Sequence, residues 1–146
     1  MDTEAKKDLG QFILDSAKVK NPGDLALVII EKDAKAPTPA MLEKMDANLS
    51  YFSLEDEASE YSLAEATIKA QKNGKRLVMD IKKDLSPASL NFFKKIIEIG
   101  TVSSVAGNVD FIPGTVITIV NREFAQKNIS YDGFYGLFTS AFSIEK

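Results

Sequence analysis

Three short, largely apolar runs constrain this chain more than any other feature. They are Leu25-Ala26-Leu27-Val28-Ile29-Ile30, Arg76-Leu77-Val78-Met79-Asp80-Ile81 and Thr115-Val116-Ile117-Thr118-Ile119-Val120. Each is too short for a helix and rich in β-branched or bulky apolar side chains. Successive side chains of a strand point to opposite faces, so an apolar run without alternation predicts a strand buried on both faces. Such strands belong to parallel sheets covered by helices.

The segments between the runs carry helical signals. Leu9, Phe12, Ile13 and Ala17 recur at helical spacing and predict a first helix over residues 3 to 18. Asn21-Pro22-Gly23-Asp24 is a turn. Thr38 followed by Pro39 reads as an N-cap with proline at the first helical position, and Met41, Leu42, Met45 and Leu49 are expected to point inward. Tyr51-Phe52-Ser53-Leu54 suggests a short strand. Ser62 and Glu65 have capping-box spacing, and that helix should end at Asn73-Gly74. Ser86-Pro87 opens another helix, with Leu90, Phe93 and Ile97 on one stripe and Gly100 closing it. Ala106-Gly107-Asn108 reads as a hairpin turn. A short helix or irregular stretch over about 122 to 138 and a last strand near 141 to 144 finish the chain.

Strands thus alternate with helices, the pattern of right-handed βαβ units. The predicted fold class is α/β: a three-layer αβα sandwich on a mainly parallel sheet of about five strands. A length of 146 residues fits one domain. Its parts would be an N-terminal helix and turn (1–22), a core (23–121) and a C-terminal helix and strand (122–146).

Composition removes whole classes of chemistry. The chain has no cysteine and no histidine, which excludes thiol nucleophiles, Cys/His metal sites and imidazole acid–base catalysis. Net charge is −3, from 18 basic and 21 acidic residues in no large block, so neither nucleic acid nor an acidic membrane is expected as partner. No apolar run approaches the ~20 residues that span a bilayer. Met1-Asp2-Thr3-Glu4 has no signal-peptide character, and a cytoplasmic location is the expectation.

One region is more specific. Asp80, Pro87, Asn91 and Gly100 are spaced seven, four and nine residues apart. Val78-Met79 precedes them; Ile96-Ile97-Glu98, Val102-Ser103, Gly107, Val109-Asp110-Phe111 and Thr115-Val116-Ile117 up to Asn121 follow in register. Over residues 76 to 121 this resembles Clp-type AAA+ unfoldases, from their Walker B strand to their sensor-1 asparagine. Upstream, Lys20-Asn21-Pro22 and Ser62-Leu63-Ala64-Glu65-Ala66 resemble the family more weakly. The resemblance implies the P-loop strand order 5-1-4-3-2.

The departures concern chemistry. A phosphate-binding loop needs glycines that let backbone N–H groups wrap phosphate, a lysine, and Ser/Thr for Mg²⁺. The equivalent stretch is Glu31-Lys32-Asp33-Ala34-Lys35-Ala36-Pro37-Thr38. It has no glycine, Pro37 stands where the lysine belongs, and only Thr38 is retained. Ile81 replaces the glutamate that activates water, and isoleucine is no base. No segment corresponds to the pore loop, the arginine finger or the helical lid.

The expected role is therefore a catalytically inactive AAA+-like domain, not an enzyme, acting as a protein-interaction or regulatory module without a cofactor. Its partner would be a protein: an AAA+ ring, or the chain itself. A first alternative is nucleotide binding without hydrolysis through Thr38, Asp80 and Asn121 as vestigial ligands. For Asp80 the competing reading is a strand-end carboxylate that caps a loop, and for Asn121 a residue that satisfies local backbone. Lys32 and Lys35 are either phosphate contacts or a solvated surface. A second alternative is a STAS-type phospho-switch at Ser86 or Ser89, from the faint likeness of residues 119 to 138 to the end of that family. Phe134, Tyr135, Phe138 and Phe142 either cover the sheet or form a partner surface.

Overall fold

A computed structural model describes residues 3–55, 59–82, 85–123 and 131–146, without the side chains of 131 and 132. The elements run α1 (Thr3–Ser16), β1 (Ala26–Ile30), α2 (Pro39–Met45), β2 (Leu49–Leu54), α3 (Glu60–Lys72) and β3 (Arg76–Ile81). A 3-10 turn (Pro87–Ser89) leads into α4 (Leu90–Ile99), followed by the hairpin β4 (Thr101–Ser104) and β5 (Gly107–Asp110). Then come β6 (Val116–Asn121), α5 (Tyr131–Tyr135) and β7 (Ser140–Ile144). Residues 124–130 of the stretch expected to be a short helix or irregular lie outside the described residues.

Five strands form one all-parallel sheet in the order β2-β3-β6-β1-β7. Counting sheet strands alone, this is 5-1-4-3-2 from the β7 edge, the expected order. The three apolar runs are its centre. Odd and even residues of each central strand feed two separate cores. Val28, Ile30, Val78, Ile117 and Ile119 pack beneath Leu9, Ile13 and Leu42 of α1 and α2. Leu27, Ile29, Leu77, Met79 and Val120 meet Leu63, Phe93, Ile96 and Phe134 on the opposite face. The result is a three-layer sandwich. No helix among the described residues is long and apolar enough to cross a membrane.

Several local expectations hold. Thr38 caps α2, its hydroxyl accepting from Met41 N at 3.2 Å with Pro39 next. α3 ends at Lys72, with Asn73 as its C-cap and Gly74 at φ 65°. Gly100 takes the left-handed C-cap of α4 at φ 68°.

Others shift by a few residues. The capping box of α3 is Ser59 with Ser62 rather than Ser62 with Glu65, because Ser62 donates back to the Ser59 turn. Leu49 is not on α2. Asp46 stops that helix in an extended conformation, and Leu49 begins β2. In α4 the inward stripe is Phe92, Phe93 and Ile96, while Ile97 is 38% exposed. Leu90, half-buried at the start of α4, packs against the same core. The hairpin turns at Val105-Ala106, one residue early, so that Ser104 pairs with Gly107.

Arg76 locks the amino-terminal end of the sheet. Its guanidinium donates to Gly114 O (2.9 Å), Ile13 O (3.1 Å), Asp46 Oδ2 (2.9 Å) and Ser16 Oγ (2.6 Å). The ends of α1 and α2, the start of β3 and the loop before β6 thus meet on one buried cation. Gly114 sits at φ 78° under this junction, and a Cβ there would lie 3.1 Å from Ser16 O.

Candidate functional site

In open α/β sheets, ligands bind outside the carboxyl ends of the strands, where the strand order reverses. Here that crevice lies at the ends of β1, β6 and β3. Ile30 pairs with Asn121, and Ile81 with Val120, so these ends are level. Asn121 and Asp80 lie at or next to these strand ends, Thr38 lies at the start of α2, and each has local bonds of its own.

Thr38 uses its hydroxyl to cap α2. Asn121 Oδ1 accepts from Glu123 N at 3.0 Å, holding the turn that leaves β6. Asp80 is 3% exposed and is tied on two sides. The Tyr51 hydroxyl donates to its Oδ2, and Lys82 Nζ lies 2.9 Å from the same oxygen. Among the described residues no hydrogen bond joins Thr38, Asp80 and Asn121 to one another. For Asn121 the local reading fits this geometry; Asp80 is held by two side chains, one of them from the adjacent strand β2.

Burial first, and then the hydrogen bond to Asp80, push the Tyr51 phenol above its ordinary value. The bond to Asp80 raises the Lys82 ammonium. Both shifts keep the protons on Tyr51 and Lys82 at neutral pH. Neither residue is therefore a ready base.

The loop after β1 carries the opposite of phosphate chemistry. Glu31, its first residue, receives two bonds from Arg122, the residue after Asn121. Nε of Arg122 bonds one carboxylate oxygen, and Nη2 bonds the other at 2.8 Å. A fork of this kind is the strongest common side-chain pairing. The Arg122 guanidinium also stands 5.2 Å from the Tyr135 ring centroid. Glu31 N donates to Ile144 O at 3.0 Å, which draws β7 into the same closure. Further along, Asp33 is left-handed at φ 65°, Lys32 and Lys35 are exposed, and Pro37 is buried. Among the described residues no group of three acidic side chains is placed to hold a metal ion.

The hydrogen bond from Arg122 holds the Glu31 carboxyl below its usual value, against burial, and Ser143 helps. A depressed carboxylate contributes stability above its unfolded value of 4.5, and that contribution is lost as pH falls through the lower folded value. Urea melts over a pH series should show Glu31→Gln less stable than wild type at neutral pH. The gap should close as pH drops below 4.5. A gap that ignores pH would mean that the charge of Glu31 contributes nothing.

Among the C-terminal aromatics, Phe134 is core rather than surface. Phe134 is 0% exposed, and its ring lies 6.1 Å from Phe93 and 5.2 Å from Phe138. Tyr135 and Phe138 pack against the same core, and Phe142 packs on Phe12 across the other face at 5.7 Å. Phe134 thus covers the sheet, while Tyr135, Phe138 and Phe142 are half-buried beside it. Ser89 is also 0% exposed, its hydroxyl bonded to Ser86 O at 2.6 Å.

Sequence reasoning missed the Glu31–Arg122 fork, the Tyr51–Asp80–Lys82 group and the Arg76 junction. The fork joins residues 91 apart, and no local pattern signals such a pair. No protein-family model matches the chain, and no curated protein matches it significantly.

Proposed function

We propose that this chain is a catalytically inactive AAA+-like domain that works as a protein-interaction or regulatory module. One observation carries the reading: Glu31, the first residue of the loop that the resemblance aligns with a P-loop, holds a carboxylate bound by Arg122. An anion entering there would meet Glu31 and would have to break a bidentate pair. The strand order supports the AAA+ relationship, and fold by itself gives no activity. The groups that phosphoryl transfer needs are replaced by others with their own bonds.

The nucleotide-binding alternative finds less support, since Thr38, Asp80 and Asn121 are engaged locally. The phospho-switch alternative would need a kinase to reach Ser89, which is buried, or Ser86, which is half-buried and caps the 3-10 turn by accepting from Ser89 N.

Calorimetric titration of the full chain with ATP and ADP in the presence of Mg²⁺ tests the proposal. No saturable heat is expected up to millimolar nucleotide, at two temperatures. Micromolar binding would overturn the reading. It would also stabilise the fold by about 2.7 kcal/mol at a hundredfold excess over Kd, visible as a thermal shift.

A further inference from the structure

We propose that the outer edge of β2 and the basic groove beside it accept an extended acidic segment of a partner protein as an added strand. This deepens the interaction-module reading and rests on it.

β2 is an outer strand of the sheet. Its sequence, Leu49-Ser50-Tyr51-Phe52-Ser53-Leu54, has no charge, no proline and no glycine. Natural edges are usually blocked by such residues, because a bare edge is a template for another strand. The ladder fixes which groups are bare. Arg76 N donates to Asn48 O and Lys82 N to Leu54 O. Backbone direction alternates along a strand, so Ser50 and Phe52 also face β3, while Tyr51 and Ser53 turn their N–H and C=O outward. Leu49 N is already used by Asp46 O, which closes the lower end.

The side-chain environment selects the guest. Against the edge, on the α3 side, lies a cavity of about 200 Å³ lined by Ser50, Phe52, Ala66, Lys69, Ala70 and Lys75. Phe52 is 38% exposed there. The two alanines leave the groove open. Across Lys69 a second groove of about 490 Å³ runs between α3 and the hairpin, with Lys72 and the 86% exposed Val105 on its walls. The ion pairs of the described residues engage other cations than Lys69, Lys72 and Lys75. Glu65 is the acid on this second groove. The helix dipole explains lysines in the last turn of α3. It does not explain an open edge and a groove beneath them. A second copy would bring the same three lysines to the same edge, against like charge. An acidic strand with alternate apolar residues would instead place backbone on Tyr51 and Ser53, apolar side chains on Phe52 and carboxylates near the lysines.

The test uses the full chain, isotope-labelled for amide NMR, and a short capped peptide of alternating glutamate and valine at up to millimolar concentration. Slowed exchange of the Tyr51 and Ser53 amides is expected, with shifts along Lys69 to Lys72 and affinity that falls as salt rises. The matching lysine–valine peptide should not bind. Ser53→Pro removes one outward N–H, leaves the β3 ladder intact and is tolerated on an edge. It should weaken binding at least about tenfold. A backbone N-methylated peptide makes the same test without altering the protein. Four results would overturn the proposal: no binding of the acidic peptide, equal binding of the lysine peptide, indifference to N-methylation, or protection on β7, the other outer strand. Protected Tyr51 and Ser53 amides in peptide-free dimers would also overturn it, in favour of a second copy. Peptide binding together with nucleotide binding would keep this site and sink the interaction-only reading. Neither binding would sink the site alone.

Discussion

Arg76→Ala should lower the unfolding free energy by about 3–5 kcal/mol, the largest effect expected of any polar substitution here. The reason is what it leaves behind. Asp46 loses the one cation paired with it among the described residues while its carboxylate is mostly buried, with 16% of the side chain exposed. The carbonyls of Gly114 and Ile13 and the Ser16 hydroxyl lose a donor in the same step. A buried group left unsatisfied costs its full desolvation, whereas a pair that forms contributes only modestly. Arg76→Lys should recover little, since one ammonium cannot reach four acceptors with the fork geometry of a guanidinium. Asp46→Asn should cost less than Arg76→Ala, because Arg76 keeps its other acceptors. Urea midpoints with unchanged m-values would measure all three. Near-wild-type stability of Arg76→Ala would mean that water replaces the guanidinium and that the junction does not hold the sheet end.

Phe134→Ala should cost about 3–5 kcal/mol as well, the range for emptying a buried aromatic site. Phe134 is fully buried and meets Phe93, Tyr135 and Phe138 in edge-on contacts with centroids 6.1, 5.3 and 5.2 Å apart. Edge-to-face pairs add to the area term. The neighbouring rings belong to different elements, so they cannot collapse into the gap without moving α4 or α5. A surface residue would behave otherwise: its loss would leave melting within about 0.5 kcal/mol and reduce partner binding. Thermal and urea melts of Phe134→Ala therefore separate the two roles considered for the C-terminal aromatics. Phe138→Ala, at a partly buried ring, should show a smaller loss of the same kind.

Both substitutions probe the fold, and the fold positions the proposed function. In the proposed reading, a carboxyl-end crevice closed by Glu31 and Arg122 would leave the β2 edge for a partner. The closure depends on β7 lying beside β1, where Ile144 O accepts from Glu31 N. The open edge depends on β2 lying last in the sheet.

The sequence by itself determined the sheet. Leu25 to Ile30, Leu77 to Ile81 and Val116 to Val120 have no polar alternation, so only burial on both faces satisfies them, and that requires helices on either side. The Thr38-Pro39 start of α2 and the Gly100 end of α4 were also legible, because caps depend on the conformation of one or two residues. The absence of glycine at residues 31–38, and the proline at 37, needed no structure, since both are read directly from the sequence. Tertiary structure decided what stands in place of that chemistry. Glu31 and Arg122 are far apart in the chain and adjacent in space only because β6 pairs with β1. Tyr51 reaches Asp80 because β2 pairs with β3, and Arg76 gathers four segments that no local pattern relates. The fate of the aromatics was likewise tertiary. Phe134 is core because α4 presents Phe93 opposite it, and side-chain type alone does not distinguish a ring that covers a sheet from one that greets a partner.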